Sequence, residues 1–297
     1  MPGLLRPIFD DAVTLFFAAN ESYAPMTAVA IKSVIDHASP ERNYDIIVGT
    51  CGGIGRRSRR RLERMSQLNI IIRVIDMSYM SDLHNFYFLS SRFSSETYAR
   101  FFIPSLFGEY SKVVWLDSDM VIMRDVADLY DIDIGDNWWG AARDNFGTFG
   151  QIYYNHVYKL TNGRIADYFQ AGVMIWNVKK CIEDNVEEKL FNKFYEMGPT
   201  VLQDQDNMNA VAKGEHIYFL SEYWNSKAFN NDGTAAIIHY TTRAKPWNLR
   251  KRLRNHIYFW YYAKKTKFYG RLCRIKFWNI VKSKARKLLK WDSGAHF

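Results

Sequence analysis

Apolar positions along this chain of 297 residues gather into short continuous runs, separated by longer amphipathic stretches. Residues 12–18 (AVTLFFA) read as a strand buried on both faces, because no polar residue alternates with the apolar ones. Thr27 is expected to cap a helix reaching His37, with Ala28, Ile31, Val34 and Ile35 on one side. Residues 44–49 predict a second strand, residues 56–67 a basic helix, and Ile70–Asp76 a third strand. Lys112–Leu116 (KVVWL) predicts a fourth, running directly into Asp117-Ser118-Asp119. Further on come Trp139–Arg143, an apolar strand at 172–176, a helix from Lys179 and a strand at 235–238.

Repeated strand–helix alternation with continuous apolar strands predicts an α/β fold, with a mostly parallel, doubly wound sheet covered on both faces. No internal repeat, low-complexity linker or composition shift interrupts it before about residue 248. Residues 1–248 are therefore expected to form one domain. In such sheets the ligand crevice lies beyond the carboxyl ends of the strands, where the strand order reverses. Three polar clusters fall at such ends: Asn20-Glu21-Ser22, Asp117-Ser118-Asp119 and His239-Tyr240.

Charge changes the picture at the C-terminus. The net charge is +9, but fifteen of the 40 Lys and Arg residues follow Trp247, where Asp292 is the one acid. The remaining 25 basic residues face 30 acidic ones, so the body is mildly acidic. Residues 249–297 interleave cations with Tyr258, Phe259, Trp260, Tyr261, Tyr262, Phe268, Tyr269, Phe277, Trp278 and Trp291. Such a tail suits an anionic membrane surface. Packing on the body and binding of nucleic acid are the other readings. The run at residues 56–61 (RRSRRR) reads as a solvated helix face. Apolar content of 48% excludes wholesale disorder. Cys51, Cys181 and Cys273 are few, odd in number and far apart, so neither a disulfide framework nor a structural zinc site is expected, and a reducing cytoplasm is the natural compartment. No apolar run approaches the ~18 residues of a membrane span, and Arg6, Asp10 and Asp11 argue against a signal peptide.

The strand-end position singles out Asp117 and Asp119 from the equally spaced Asp131/Asp133 and Asp204/Asp206. Carboxylates two apart on extended backbone point the same way and offer the oxygens that hard divalent cations want, while Mn²⁺ also accepts an imidazole. The competing reading is a turn or helix cap built from Asp and Ser. His239 and Lys245-Pro246-Trp247 admit equally plain readings, a satisfied histidine and a surface turn.

Seven segments in order carry a resemblance: residues 17–23 (FAANESY), 97–100 (TYAR), 112–123 (KVVWLDSDMVIM), 136–144 (DNWWGAARD), 168–177 (YFQAGVMIWN), 203–209 (QDQDNMN) and 239–247 (HYTTRAKPW). Over roughly residues 12–248 the chain resembles the family 8 retaining glycosyltransferases, of the bacterial lipopolysaccharide galactosyl- and glucosyltransferase type. The resemblance implies a nucleotide-sugar-binding fold of the GT-A type, Rossmann-like. It implies a UDP-hexose donor, Mn²⁺ or alternatively Mg²⁺, and transfer of galactose or glucose with retention to a glycan or lipid-linked glycan. Asp117, Asp119 and His239 match its metal ligands. Ala18, Asn20 and Tyr23 fall where uridine is held, Arg100 and Ser118 at the donor, and Lys245 at the diphosphate. Asp144, Gln170, Ala171, Asp204 and Gln205 line the sugar pocket. Gln205 lies nearest the reacting face, and Asp206 is the adjacent carboxylate considered as nucleophile.

The chain departs from the family pattern in places. Asn20 stands where aspartate is usual, Ser22 and Gln170 where asparagine is, and Thr241-Thr242-Arg243 where a glycine is common. The uridine contacts and the identity of the sugar are therefore open. The resemblance also favours the membrane reading of the tail, placing the protein in the cytoplasm, peripheral on the inner face of the cell membrane, with no nucleic acid partner. The alternatives are a metal-dependent phosphohydrolase acting on nucleotide sugars, which leaves residues 239–247 unexplained, and a basic binding protein, which the acidic body argues against.

Overall fold

A computed structural model describes residues 5–79, 95–144, 150–229, 233–241, 245–248 and 254–292, with the side chains of Gly150, Lys284 and residues 286–292 excepted. Thr242 and Arg243 of the expected phosphate loop lie outside the described residues, as do Arg250, Lys251 and Arg252 of the tail and the side chain of Trp291.

The main sheet contains β1 (Val13–Ala18), β2 (Tyr44–Thr50), β3 (Ile70–Asp76), β4 (Lys112–Leu116), β6 (Trp139–Arg143), β7 (Phe169–Asn177) and β8 (Ile217–Leu220) in the order β3-β2-β1-β4-β7-β6-β8. The sheet is parallel except for β7, which runs against both β4 and β6. The mostly parallel α/β expectation holds. A second sheet, β5-β10-β9, joins β5 (Met120–Ile122), β9 (Ser226–Lys227) and β10 (Ile237–His239).

The helices are α1 (Ala24–His37), α2 (Arg56–Glu63), α3 (Ile103–Leu106), α4 (Ala127–Tyr130), α5 (Gly150–Leu160), α6 (Val178–Glu183), α7 (Val186–Met197), α8 (Asp204–Ala212), α9 (His256–Lys264) and α10 (Tyr269–Asp292), with a 3-10 helix at Ser95–Phe102. Both faces are covered at the centre of the sheet, which is why β1 and β4 read as unbroken apolar runs. Val13, Leu15, Phe17, Val114 and Leu116 face the layer containing α1. Phe16, Val113 and Trp115 face a second layer with Phe101, Phe107, Trp139 and Trp176.

Three local expectations are corrected. Thr27 does not cap α1, which starts at Ala24 with Pro25 in its first turn, where a missing N–H costs nothing. Helix α2 stops at Glu63 because the chain must turn into the Gln67–Ile70 bridge that leads to β3. Of residues 235–238 only Ile237 and Ile238 are strand, and they lie in β10 of the second sheet, which runs on through His239, paired with Met120.

The first half of the tail packs on the body. Phe259, Trp260, Tyr262, Ala263 and Leu272 are buried against Met26 and Val29 of α1, Val121 and Ile238. Phe268 joins the core beneath the main sheet. Further along α10, Phe277 and Trp278 are 60% and 58% exposed.

Candidate active site

In the strand order 3-2-1-4 the winding reverses between β1 and β4, so the crevice opens where those two strands diverge. A cavity of about 850 Å³ lies there, lined by Ala18, Asn20 and Tyr23 after β1 and by Asp117, Ser118 and Asp119 after β4. Asp144, Gln170, Ala171, Asp204 and Gln205 form its far wall, with His239 and Lys245 on the third side. Of the residues matched to the family's metal, donor, sugar and catalytic positions, Asp206 alone does not line it.

Asp117, Asp119 and His239 each turn one ligand atom inward, and these atoms lie within 4.8 Å of one another. The His239 Nε2 is 3.1 Å from an Asp119 oxygen and 3.6 Å from one of Asp117. Its Nδ1 lies 3.0 Å from the Asn225 side-chain oxygen. Donation there leaves Nε2 with its lone pair facing the carboxylates. Trp115 Nε1 and Arg100 both donate to Asp117 Oδ1, at 2.9 and 3.0 Å, which turns the other oxygen toward His239. Gly172 makes this convergence possible: a Cβ there would sit 2.3 Å from the His239 ring and 2.9 Å from Asp117 Oδ2. Two carboxylates and an imidazole in a recess free of side-chain bulk fit Mn²⁺ or Mg²⁺.

Lys245 donates to Asp119 and, at 2.7 Å, to the Tyr240 carbonyl. Burial opposes ionisation of Asp119, but Lys245 and His239 outweigh it and hold the carboxyl far below the usual carboxylate range. Burial likewise opposes the charge of Lys245, and Asp119 outweighs it, raising that pKa. Both groups are therefore charged at neutral pH.

Arg100 is buried and bridges the cation-binding and far walls. It stacks over Trp115 at 4.2 Å, donates to Asp117 and the Ala171 carbonyl, and lies 2.9 Å from Asp204. Burial raises the Asp204 pKa to about 6 despite Arg100. Asp144 accepts from Tyr153 and Gln205 at 3.0 Å each and from Lys227 at 2.5 Å. Gln205 turns its amide nitrogen to Asp144 and its oxygen to the Ala171 N–H, 3.0 Å away.

Asp206 is the correction. On α8, side chains two apart emerge on opposite sides, so Asp204 faces the cavity while Asp206 faces the interior. Its carboxylate accepts from Tyr168 at 2.6 Å and Leu202 N at 2.8 Å, and meets His156 at 2.9 Å. A carboxylate so enclosed braces α5 and α8 and does not line the crevice.

Sequence reasoning missed Thr27, Glu96, Asn225, Gly172 and Lys227. Glu96 adjoins the segment TYAR and Lys227 follows Trp224-Asn225, but neither has a periodicity that marks it.

A mostly parallel sheet with a carboxylate–imidazole cluster at its switch point defines an α/β protein with a candidate cation-binding crevice. Comparison with known proteins narrows it: the chain belongs to Glycosyl transferase family 8, whose profile matches residues 14–250, and it is a glycosyltransferase. A putative glycosyltransferase of Haemophilus influenzae is 26% identical over 222 residues, covering 74% of this chain and 65% of that protein. The apo structure of the bifunctional glycosyltransferase WbbM superposes with a TM-score of 0.78 at 27% identity, over 92% of this chain and 53% of that one. The galactosyltransferase LgtC, solved with donor and acceptor sugar analogues, shares the fold with a TM-score of 0.69 at 24% identity, over 86% of this chain and 96% of that one. This chain thus spans about half of WbbM and about two thirds of the Haemophilus protein.

Proposed function

We propose that the protein is a retaining hexosyltransferase, moving galactose or glucose from a UDP-sugar to a hydroxyl of a glycan acceptor in cell-surface glycan synthesis, lipopolysaccharide included. The observation that carries this reading is the convergence of Asp117, Asp119 and His239 beside Lys245 at the β1/β4 divergence. Asp117, Asp119 and His239 would hold Mn²⁺ or Mg²⁺, which when bound supplies Lewis-acid stabilisation of a diphosphate leaving group. Lys245, released from Asp119, adds a second positive charge to the departing diphosphate.

The sugar lies toward Asp144, Asp204 and Gln205. Asp204, set by Arg100 and by the Thr97 hydroxyl at 3.1 Å, accepts from sugar hydroxyls. Asp144, held between Lys227, Tyr153 and Gln205, orients the Gln205 amide. Asp206 is turned inward, the Gln205 oxygen is bonded to Ala171 N, and Asp204 and Asp144 are engaged by Arg100 and Lys227, so among the described residues none of these four is presented as an unencumbered nucleophile. That favours attack by the acceptor hydroxyl on the face the diphosphate leaves, the hydroxyl proton passing to a departing phosphate oxygen.

The exposed Phe277, Trp278 and Val281 on α10, set among Arg274, Lys276 and Lys282, support a peripheral site on an anionic membrane at the cytoplasmic face, where a lipid-linked acceptor would be met. Among the described residues no helix is long and apolar enough to cross a membrane.

A donor panel tests the reading. UDP-galactose, UDP-glucose, UDP-N-acetylglucosamine and GDP-mannose are each incubated with Mn²⁺ and a glycan acceptor, and with EDTA in parallel. Metal-dependent consumption of one UDP-hexose is expected. Equal inertness of all donors, or turnover unaffected by EDTA, sinks it.

A further inference from the structure

The crevice extends past the Asp119–Lys245 pair into a recess at the ends of β1 and β2, and this inference rests on the UDP-donor reading proposed above. Asn20, Tyr23 and Glu96 wall the recess, and Glu96 is 6% exposed. Its Oε1 accepts from the Gly52 N–H at 2.7 Å, and its Oε2 accepts from the Asn20 amide at 3.3 Å. A Cβ at position 52 would stand 3.1 Å from Oε1, so a glycine there lets the backbone approach the carboxylate. The Asn20 oxygen is used in the other direction, by Ser22 N at 3.1 Å, Ser22 Oγ at 2.6 Å and Tyr23 N at 3.3 Å. Position 20 therefore presents no carboxylate to this recess. Glu96, 76 residues further along the chain, brings one to the same place.

We propose that Glu96 determines base specificity for the donor, its carboxylate accepting the ring N3–H of uracil. The chemistry is selective because uracil carries a proton at N3 where cytosine carries a lone pair. A fixed acceptor-only group attracts the first and repels the second. Gly52 and Asn20 hold the carboxylate from behind, and the half-buried Tyr23 supplies an aromatic wall at the same end.

Calorimetric titration of the whole chain in Mn²⁺ with UDP, N3-methyl-UDP, CDP and GDP tests this. The parent protein is expected to bind UDP about ten- to a hundredfold more tightly than N3-methyl-UDP or CDP, the size of one hydrogen bond to a charged acceptor. Glu96→Gln should reduce that preference about tenfold. Adding Asn20→Asp to Glu96→Gln should restore part of it by returning a carboxylate to the recess. If the parent binds N3-methyl-UDP as well as UDP, the proposal falls without reference to any variant. If UDP is preferred but Glu96→Gln keeps the full preference, it falls as well, and the UDP-donor reading stands. If UDP does not bind, or GDP binds better, the donor reading itself fails and takes this inference with it.

Discussion

The Thr27 hydroxyl donates to Ser118 Oγ at 2.9 Å, joining the first turn of α1 to the turn that carries Asp117 and Asp119. Ser118 in turn donates to the Ala18 carbonyl at 3.1 Å, so the end of β1, the start of α1 and the carboxylate turn form one hydrogen-bonded unit. The turn cannot drift without breaking bonds to two other elements. This is how a short loop on the crevice floor is kept ready for a cation.

Thr27→Val keeps the side chain's shape and removes the donor. A net hydrogen bond of about 1 kcal/mol is lost. The expected outcome is a drop of a few degrees in Tm together with a several-fold weaker Mn²⁺ affinity, read by calorimetry. An unchanged Mn²⁺ affinity would show that the turn is held well enough by Ala18 alone.

Gly172→Ala tests the cation recess more sharply. The new Cβ would overlap the His239 ring and crowd Asp117 Oδ2, and neither is a flexible chain end. Overpacking of this kind costs about 1–3 kcal/mol, and it falls on two of the three ligands. We expect Mn²⁺ affinity to fall at least about tenfold while the circular dichroism spectrum is retained. Mn²⁺ binding equal to that of the parent would mean that His239 or Asp117 is not a ligand.

Much of this arrangement was legible in the sequence. Strands β1 and β4 could be read because burial on both faces leaves an unbroken apolar run, and Asp117 and Asp119 followed from the end of β4. Residues 235–238 read as a strand, but the second sheet escaped notice because its other two members, β5 and β9, are only three and two residues long, below any periodic signal. Asp206 was named only through the resemblance; side chains two apart on a helix leave on opposite sides, so it faces Tyr168 and the interior while Asp204 lines the crevice. Thr27, Glu96, Asn225 and Lys227 act through contacts tens of residues away along the chain. Nothing in their local sequence records such contacts.

Asp204 gives a test that depends on pH. Burial raises its folded pKa to about 6, above the ordinary 3.8. Its contribution to stability is therefore fully present below about pH 4 and is lost as the pH rises through about 6. Asp204→Asn stays neutral throughout, so in EDTA the variant should gain in unfolding free energy relative to the parent between pH 4 and 6, by at most about 1.4 kcal/mol per pH unit, read as a rising Tm difference. The same variant should lose about ten- to a hundredfold in kcat/KM, because a charge-assisted bond to the sugar is gone. Parallel Tm profiles for the two proteins would show that the Asp204 carboxyl titrates normally, and unchanged kcat/KM would show that it does not face the sugar.

The tail demands a finer cut than wholesale removal. Deleting residues 261–297 would strip Tyr262, Ala263, Phe268 and Leu272 from the core. It would also remove two braces on the Asn20–Tyr23 side of the crevice. Arg271 donates to Glu21 in the β1–α1 loop at 2.5 Å, and Asn279 donates to the Trp247 carbonyl at 3.1 Å, beside the loop that carries Lys245. The outer face of α10 can be changed without touching these. Substituting Phe277, Trp278 and Val281 together by serine removes three exposed apolar groups and leaves Arg271, Leu272 and Asn279 in place. If this face rests on a membrane, the triple variant should be released from anionic vesicles while transfer to a small soluble sugar stays within about twofold of the parent. Binding by the parent should also weaken as salt rises, because headgroup attraction is screened over about 10 Å at 0.1 M. Co-sedimentation with anionic and neutral vesicles at two salt concentrations reads both effects. Equal binding to neutral vesicles would overturn the electrostatic attraction, and equal sedimentation of parent and variant would overturn the membrane role of this face and leave α10 as a brace for the two loops it grips.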